Sequence, residues 1–222
     1  YIDMPLQHAS DSMLTAMRRN VSAQQQRELV LKLREQVPGM ALRSTFITGF
    51  PGETEDDHQQ LLSFINEIQF DALGVFQYSR EAGTPAARME EDESLAVDPE
   101  TKTHREEEIM LTQQEIAFEN AEYLAKESAQ FDVLIDGDAP EGSEVALPET
   151  DPAIRTNTPL HLAIGRCYHQ APQIDSQTCV ASCENLSPGE LLRCTIVGSD
   201  GYDLVARPTS ELQRRTSLPV IG

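Results

Sequence analysis

Across the first 80 residues the apolar positions switch between a period of two and a period near 3.6, which predicts strands alternating with helices. Tyr1 to Leu6 reads as a strand heading for a turn at Pro5. Ser10 or Asp11 caps a short helix with Met13, Leu14 and Met17 on one face. Ser22 caps a longer helix, whose Leu29, Val30, Leu33 and Val37 form an apolar stripe that Pro38-Gly39 ends. Leu42 to Thr48 is β-branched and aromatic, a strand, and a turn through Gly49 and Pro51-Gly52 follows it. Thr54 caps the next helix, with Asp57 completing a capping box and Leu61, Leu62, Ile65 and Ile68 as its buried stripe. Asp71 to Tyr78 is a third strand. This alternation implies parallel strands joined by right-handed crossovers. Three strands are too few to close such a sheet, so residues 1–97 are expected to be the second part of a (βα) partial barrel.

The pattern then changes twice. Residues 80–97 are polar and acidic, a surface loop. Asp98-Pro99 starts a long helix to about Lys126, within a linking segment over 98–130, with Ile109, Ile116 and Tyr123 recurring every seven residues. From Phe131 come short β-like runs, FDVLID, TCVAS, LLRCTIVG and YDLVA, separated by turn signals such as Ser187-Pro188-Gly189. That pattern suits a small antiparallel β-barrel over 131–208. A proline-rich stretch over 137–160 reads as an insert in it, and 209–222 as a loose tail.

Composition narrows the class. With 39% hydrophobic and 24% charged residues the chain is globular. No run approaches the roughly 18 apolar residues of a membrane helix, so no membrane partner is expected. Four cysteines, all after position 166, make no disulfide scaffold and point to a reduced, cytoplasmic setting. The formal net charge is −20; residues 131–208 alone carry 12 acids against 4 bases, net −8. That charge opposes phosphate neutralisation as a binding mode and favours a basic partner. Residue 1 is Tyr within an apparent strand, so a piece of a longer protein is expected.

The strongest local signal is RSTFITGFPGETEDD, Arg43 to Asp57, where a strand runs through a Gly-Phe-Pro-Gly turn into a capped helix. Ligands of parallel βα architectures sit at the C-terminal ends of strands, and Gly49 and Gly52 would let backbone approach one closely. Alone, a Gly-x-x-Gly turn is more often just a tight connection. It stands between PLQHASDSMLTAMRR (Pro5 to Arg19) and FQYSREAGTPAARM (Phe76 to Met89). In this order the three segments, covering about residues 1–90, resemble the second half of the radical S-adenosylmethionine domain of the methylthiotransferase family. GRCYHQAPQID (Gly165 to Asp175) and the run LSPGELLRCTIVGSDGYDLVA resemble that family's C-terminal TRAM domain, a five-stranded, OB-like barrel.

The resemblance implies a radical enzyme with two 4Fe–4S clusters. One would bind and reductively cleave S-adenosylmethionine, using an external electron donor; the other would supply sulfur. Carried over residue by residue, it places Gln7 and His8 at one strand end, Thr45, Gly49, Phe50, Gly52 and Glu53 at the next, and Gln77, Tyr78 and Ser79 at the third. All are candidates to line the S-adenosylmethionine pocket. Each has a plainer reading: Glu53 as a helix-dipole partner, Phe50 and Tyr78 as core, Arg43 as one half of an ion pair. Catalytic residues are not assignable.

No metal ligand is expected in this chain. Cys167, His169, Cys179 and Cys183 match no usual structural zinc spacing, and a radical cluster needs C-x-x-x-C-x-x-C, whereas residue 186 is Leu. The cluster thiolates are expected upstream of Tyr1, so the chain alone is expected to be inactive. His58 and His104, among acids, read as solvated. One branch of the family modifies tRNA adenosines; the other methylthiolates the β-carbon of an aspartate in the twelfth protein of the small ribosomal subunit. His8-Ala9-Ser10, Glu81 and the acidic barrel favour the second branch, whose substrate is a basic protein; Arg80 departs from its usual pattern. The alternatives are the tRNA branch and a non-catalytic acidic binding module.

Overall fold

The computed structural model describes residues 1–172 and 174–213. The chain falls into two compact units that divide after Ile116. In the first, the order is β1 (Ile2–Asp3), α1 (Asp11–Ala16), α2 (Ala23–Gln36), β2 (Leu42–Thr48), α3 (Glu55–Ile68), β3 (Ala72–Gln77), α4 (Pro85–Met89) and the beginning of α5 (Pro99–Lys126). The strands are parallel in the order β1-β2-β3. Ser22 and Thr54 both close full capping boxes, with Gln25 and Asp57 respectively, which fixes where α2 and α3 begin.

Strand β2 shows why this unit has one packed face and one open face. Leu42, Ser44, Phe46 and Thr48 are buried, while Arg43, Thr45 and Ile47 between them are half-buried. On the packed side Phe46, Phe64 and Phe70 meet with ring centroids 5.7–6.5 Å apart, and Val30, Leu42, Leu61, Ile65, Ile109 and Ile116 complete the core. Some expected core positions differ. Leu29 and Val37 are exposed; Val30 is buried as expected, and beside it α2 buries Gln26, whose amide donates to the Leu6 carbonyl at 3.1 Å. The seven-residue stripe on α5 holds for Ile109 and Ile116 but not for Tyr123, which is exposed. The first unit, whose core holds Ile109 and Ile116, ends at Ile116, so Tyr123 lies beyond the packing that defines the stripe. The loop over 80–97 contains the short helix α4, capped by Thr84.

The second unit is a closed five-stranded barrel, β4 (Gln130–Asp138), β5 (His161–Arg166), β6 (Thr178–Ser182), β7 (Leu191–Asp200) and β8 (Asp203–Pro208), in the order β4-β5-β6-β8-β7 and back to β4. All pairs are antiparallel except β6–β8. Register shifts at Gly137 and Gly198 bend β4 and β7 into the barrel. Gly165 is required by a close approach: a Cβ there would stand 2.6 Å from the Leu134 carbonyl oxygen. Strand β5 completes the five and is the one that the run of short β-like segments did not contain. The 137–160 stretch carries the end of β4 and a short helix between the strands, α6 (Pro152–Thr156), capped by Asp151.

The expected tail at 209–222 starts differently: Thr209–Leu212 form a short helix, α7, and Thr209 and Glu211 are buried. The remainder, from 214, lies outside the described residues. Arg207 is the reason for the order at Thr209–Leu212. Its buried guanidinium meets Asp151 and Glu211 at 3.1 Å each and donates to the Ala181 carbonyl at 2.6 Å. Among the described residues no helix is long and apolar enough to cross a membrane.

Candidate functional site

The C-terminal ends of the three parallel strands meet around an open cavity of about 470 Å³. It is lined by Pro5, Gln7, Thr45, Ile47, Phe76, Gln77, Tyr78 and Ser79. Five of the ten residues expected to line a cofactor pocket, Gln7, Thr45, Gln77, Tyr78 and Ser79, are thus brought together from three separate segments. Ile47 and Phe76 were not anticipated, yet they sit directly opposite each other in the β2–β3 register, on the face that Thr45 shares. Phe76 is 65% exposed, an unusual setting for a strand phenylalanine.

Backbone geometry at this cavity is held under tension. Gln7 has φ of 76°, a left-handed conformation that costs a non-glycine residue about 1 kcal/mol. It is kept there by bridging to β2: its N–H donates to the Thr45 carbonyl at 3.0 Å and its carbonyl accepts from Ile47 at 2.8 Å. The Gln77 amide donates to Glu106 on α5 at 2.6 Å.

Behind the cavity lies a buried polar layer. The Ser10 N–H donates to His8 Nδ1 at 3.0 Å, which leaves the ring proton on Nε2, facing Glu53 Oε1 at 3.1 Å. Glu53 Oε2 accepts from the Gly49 N–H and from Arg105 Nη1, the latter at 3.0 Å. Burial pushes the Glu53 carboxyl up, but the hydrogen bonds from His8 and the Gly49 amide and the charge of Arg105 together hold it below its ordinary range. His8 and Glu53, both expected on the pocket wall, are therefore fully enclosed and form its support.

A second clasp lies beside the first. Asp57 accepts from the Ser10 and Ser12 hydroxyls through one oxygen and from the Thr54 N–H, at 2.9 Å, through the other. Burial opposes its ionisation, yet the Ser10, Ser12 and Thr54 hydrogen bonds hold it at about 2.

The glycine turn is filled by the chain itself. Gly49, with φ of 71°, has Lys102 of α5 against it, and a Cβ at 49 would collide with the Lys102 Cγ. Gly52, with φ of 88°, donates to the Leu95 carbonyl at 2.7 Å. Phe50 is buried and packs edge-on against Tyr78, with centroids 5.3 Å apart. The Lys102 ammonium lies 5.1 Å from the centre of the Tyr78 ring and 3.7 Å from Glu90. Arg43 pairs with Asp3 at 2.6 Å. Nothing local marks Lys102 and Arg105 as special, because a helical cation close to acids such as Asp98 and Glu106–Glu108 looks like an ordinary surface residue.

Two histidines and the cysteines separate cleanly. His104 is exposed, as expected, but His58 is fully buried and bonds Glu108 at 2.9 Å. Cys167, Cys179 and Cys194 are buried in the barrel, and burial pushes their thiols up, Cys194 to about 12. His169 packs its ring on Phe131 and Tyr168. Among the described residues no grouping of His, Cys, Asp and Glu could hold a metal ion, so these four cysteines do not fit an iron–sulfur cluster. The barrel carries its own open cavity, of about 320 Å³, lined by Asp132, Leu134, Arg166, Cys167, Tyr168, Gln170 and Leu191.

The TRAM domain family matches residues 157–208, which include four of the five barrel strands in full. The whole chain is similar to proteins named "Ribosomal protein uS12 methylthiotransferase RimO". The relative from Lachnoclostridium phytofermentans is 38% identical over 205 residues, 92% of this chain and 41% of the relative. That from Geobacter sulfurreducens is 40% identical over 92% of this chain and 40% of the relative. One from Anaeromyxobacter sp. (strain K) is 39% identical over 99% of this chain and 42% of the relative. The chain thus spans about two fifths of the length of the curated relatives it matches. The resemblance carried by the three motif segments and the barrel holds over nearly all of it.

Proposed function

We propose that this chain is the later part of a methylthiotransferase of the RimO kind, contributing a partial radical S-adenosylmethionine barrel and a TRAM barrel, and that its enzyme modifies a basic small-subunit ribosomal protein. The observation that carries the reading is the cavity at the strand ends. Three segments distant in sequence contribute Gln7, Thr45 and Gln77–Ser79 to one wall, and S-adenosylmethionine has the size and mixed polarity to use it.

The donors and acceptors suit that group. Gln7, Thr45, Gln77 and Ser79 offer hydrogen-bonding side chains, and Phe76 and Tyr78 offer ring faces for a purine. The bound group would supply a carbon radical able to take hydrogen from an unactivated C–H bond, the aspartate β-carbon. The chain's own residues bind it, orient it and keep water away, while Glu53 and Asp57 keep the turns behind it fixed. The two 4Fe–4S clusters are assigned to parts of the enzyme other than these four cysteines, and the electron donor that reduces them is a separate partner. We therefore expect the 222-residue chain alone to be inactive.

Charge favours the protein substrate over tRNA. The 12 acids and 4 bases of residues 131–208 attract a basic ribosomal protein and repel a polyphosphate. A cytoplasmic setting follows from such a substrate. Mass analysis of the twelfth small-subunit ribosomal protein and of tRNA from cells lacking the gene tests the reading. The expected result is an aspartate without its methylthio group and unchanged tRNA. Loss of the group from tRNA, with the aspartate still modified, would refute it.

A further inference from the structure

We infer that Arg105 is a positioning residue for the strand-end cavity, acting through Glu53 and His8 on Gln7; the inference rests on the cavity being the S-adenosylmethionine site. Among the described residues the hydrogen bonds and ion pairs of Arg105 go to Glu53 and Glu55, neither of which lines the cavity. Its side chain is buried, and it donates through Nη1 to both the Glu53 carboxylate, at 3.0 Å, and the Glu53 main-chain carbonyl, at 3.2 Å. A second contact runs from Nη2 to Glu55 at 3.5 Å.

The chain of contacts onward is continuous. Glu53 holds two separate things: the Gly49 amide at the end of β2 and the Nε2 proton of His8. His8 is pinned from its other side by the Ser10 amide, so its ring cannot swing to another partner without losing a bond. Gln7, the next residue back, is the strained left-handed residue on the cavity wall. Gly49, in turn, lies under Lys102, whose ammonium donates to the Tyr78 carbonyl at 3.4 Å and covers the Tyr78 ring.

Electrostatics explains why an arginine is needed. A fully enclosed carboxylate is costly unless it is paired and its lone pairs are used. His8, as the neutral Nε2–H form, supplies a hydrogen bond but no charge. Arg105 supplies the charge: its Nη1 donates to both the carboxylate and the main-chain carbonyl of Glu53, while Nη2 of the same planar group reaches Glu55. With Glu53 ionised, its two oxygens accept only, so Gly49 and His8 must both donate. Were residue 53 a neutral amide, one of its ends would donate. His8 Nε2 or the Gly49 amide would then face the wrong partner, and the wall would rearrange even though the burial cost had gone.

That contrast separates positioning from bulk stability. The test uses the cluster-loaded full-length holoenzyme, with S-adenosylhomocysteine binding measured by calorimetry and thermal unfolding measured alongside. Arg105→Met should weaken binding at least tenfold and lower the melting temperature. Arg105→Met combined with Glu53→Gln should recover most of the melting temperature and leave binding at least tenfold weak. Recovery of binding together with stability would overturn the inference, as would wild-type binding in Arg105→Met. A Thr45→Trp variant, which fills the cavity, serves to locate the ligand. If it binds S-adenosylhomocysteine like wild type, the site lies elsewhere, and both the cavity reading and this inference fall. If it abolishes binding while the double variant binds like wild type, the cavity reading stands and only the role of Arg105 falls.

Discussion

Replacing Arg207 by methionine should destabilise the barrel by about 3–5 kcal/mol, the range for removing one partner of a buried ion pair. The side chains of Arg207, Asp151 and Glu211 are 1%, 0% and 7% exposed, so solvent cannot take over the charge that arginine now neutralises. Among the described residues, Asp151 would keep only its bond from the Ala153 amide, and Glu211 its bonds from the Ser182 hydroxyl and the Cys183 amide. The Ala181 carbonyl would lose the Arg207 hydrogen bond as well. Methionine fills much of the volume, so the loss reads the electrostatics rather than a cavity. For a unit of roughly 100 residues each kcal/mol moves the melting temperature by about 4–8 °C, so a fall of at least about 12 °C is expected in calorimetry. Adding Asp151→Asn and Glu211→Gln to the methionine variant should restore much of the loss. A loss below about 1 kcal/mol for Arg207→Met would refute the reasoning, since it would mean that the two carboxylates are neutral or solvated in the folded barrel.

Three further outcomes follow from the same geometry. Asp57 is depressed in the folded chain, so its contribution is fully present above its unfolded value near 3.8 and is lost as the pH falls towards about 2; the stability gap between wild type and Asp57→Asn, measured by urea unfolding, should be constant near neutrality and close between about pH 4 and pH 2. Gly49→Ala should cost at least about 1 kcal/mol, from the left-handed backbone alone, and displace Lys102, weakening cofactor binding in the holoenzyme; unchanged stability would contradict the packing at Gly49. Alkylation of the native chain near pH 8, followed by peptide mass analysis, should label Cys183 first, with Cys167, Cys179 and Cys194 reacting only on unfolding.

Much of the first unit was legible because local signals agreed with one another. The capping boxes at Ser22 and Thr54 and the alternation in Leu42–Thr48 each fix a boundary or a face without help from the rest of the fold. What escaped depended on tertiary context. His58 looked solvated because it follows Asp56-Asp57, yet its own face of α3 is the one that meets Glu108. Leu29 looked buried because it neighbours Val30, but Gln26 takes the inward place and spends its amide on a carbonyl. Arg105 and Arg207 are central to their units, and nothing in their immediate sequence separates them from exposed arginines. Of the candidate site, the wall residues were found through motif order, whereas the supporting position of His8 and Glu53 required the distances.

The strand-end cavity carries the proposed function most directly. Cells lacking the gene can be given the full-length enzyme carrying Thr45→Trp, and the twelfth small-subunit ribosomal protein weighed by mass spectrometry. The account predicts a folded, accumulated enzyme and an aspartate left without its methylthio group, because the indole occupies the space bounded by Gln7, Ile47, Phe76 and Tyr78. An aspartate modified to the wild-type level by that variant would contradict it.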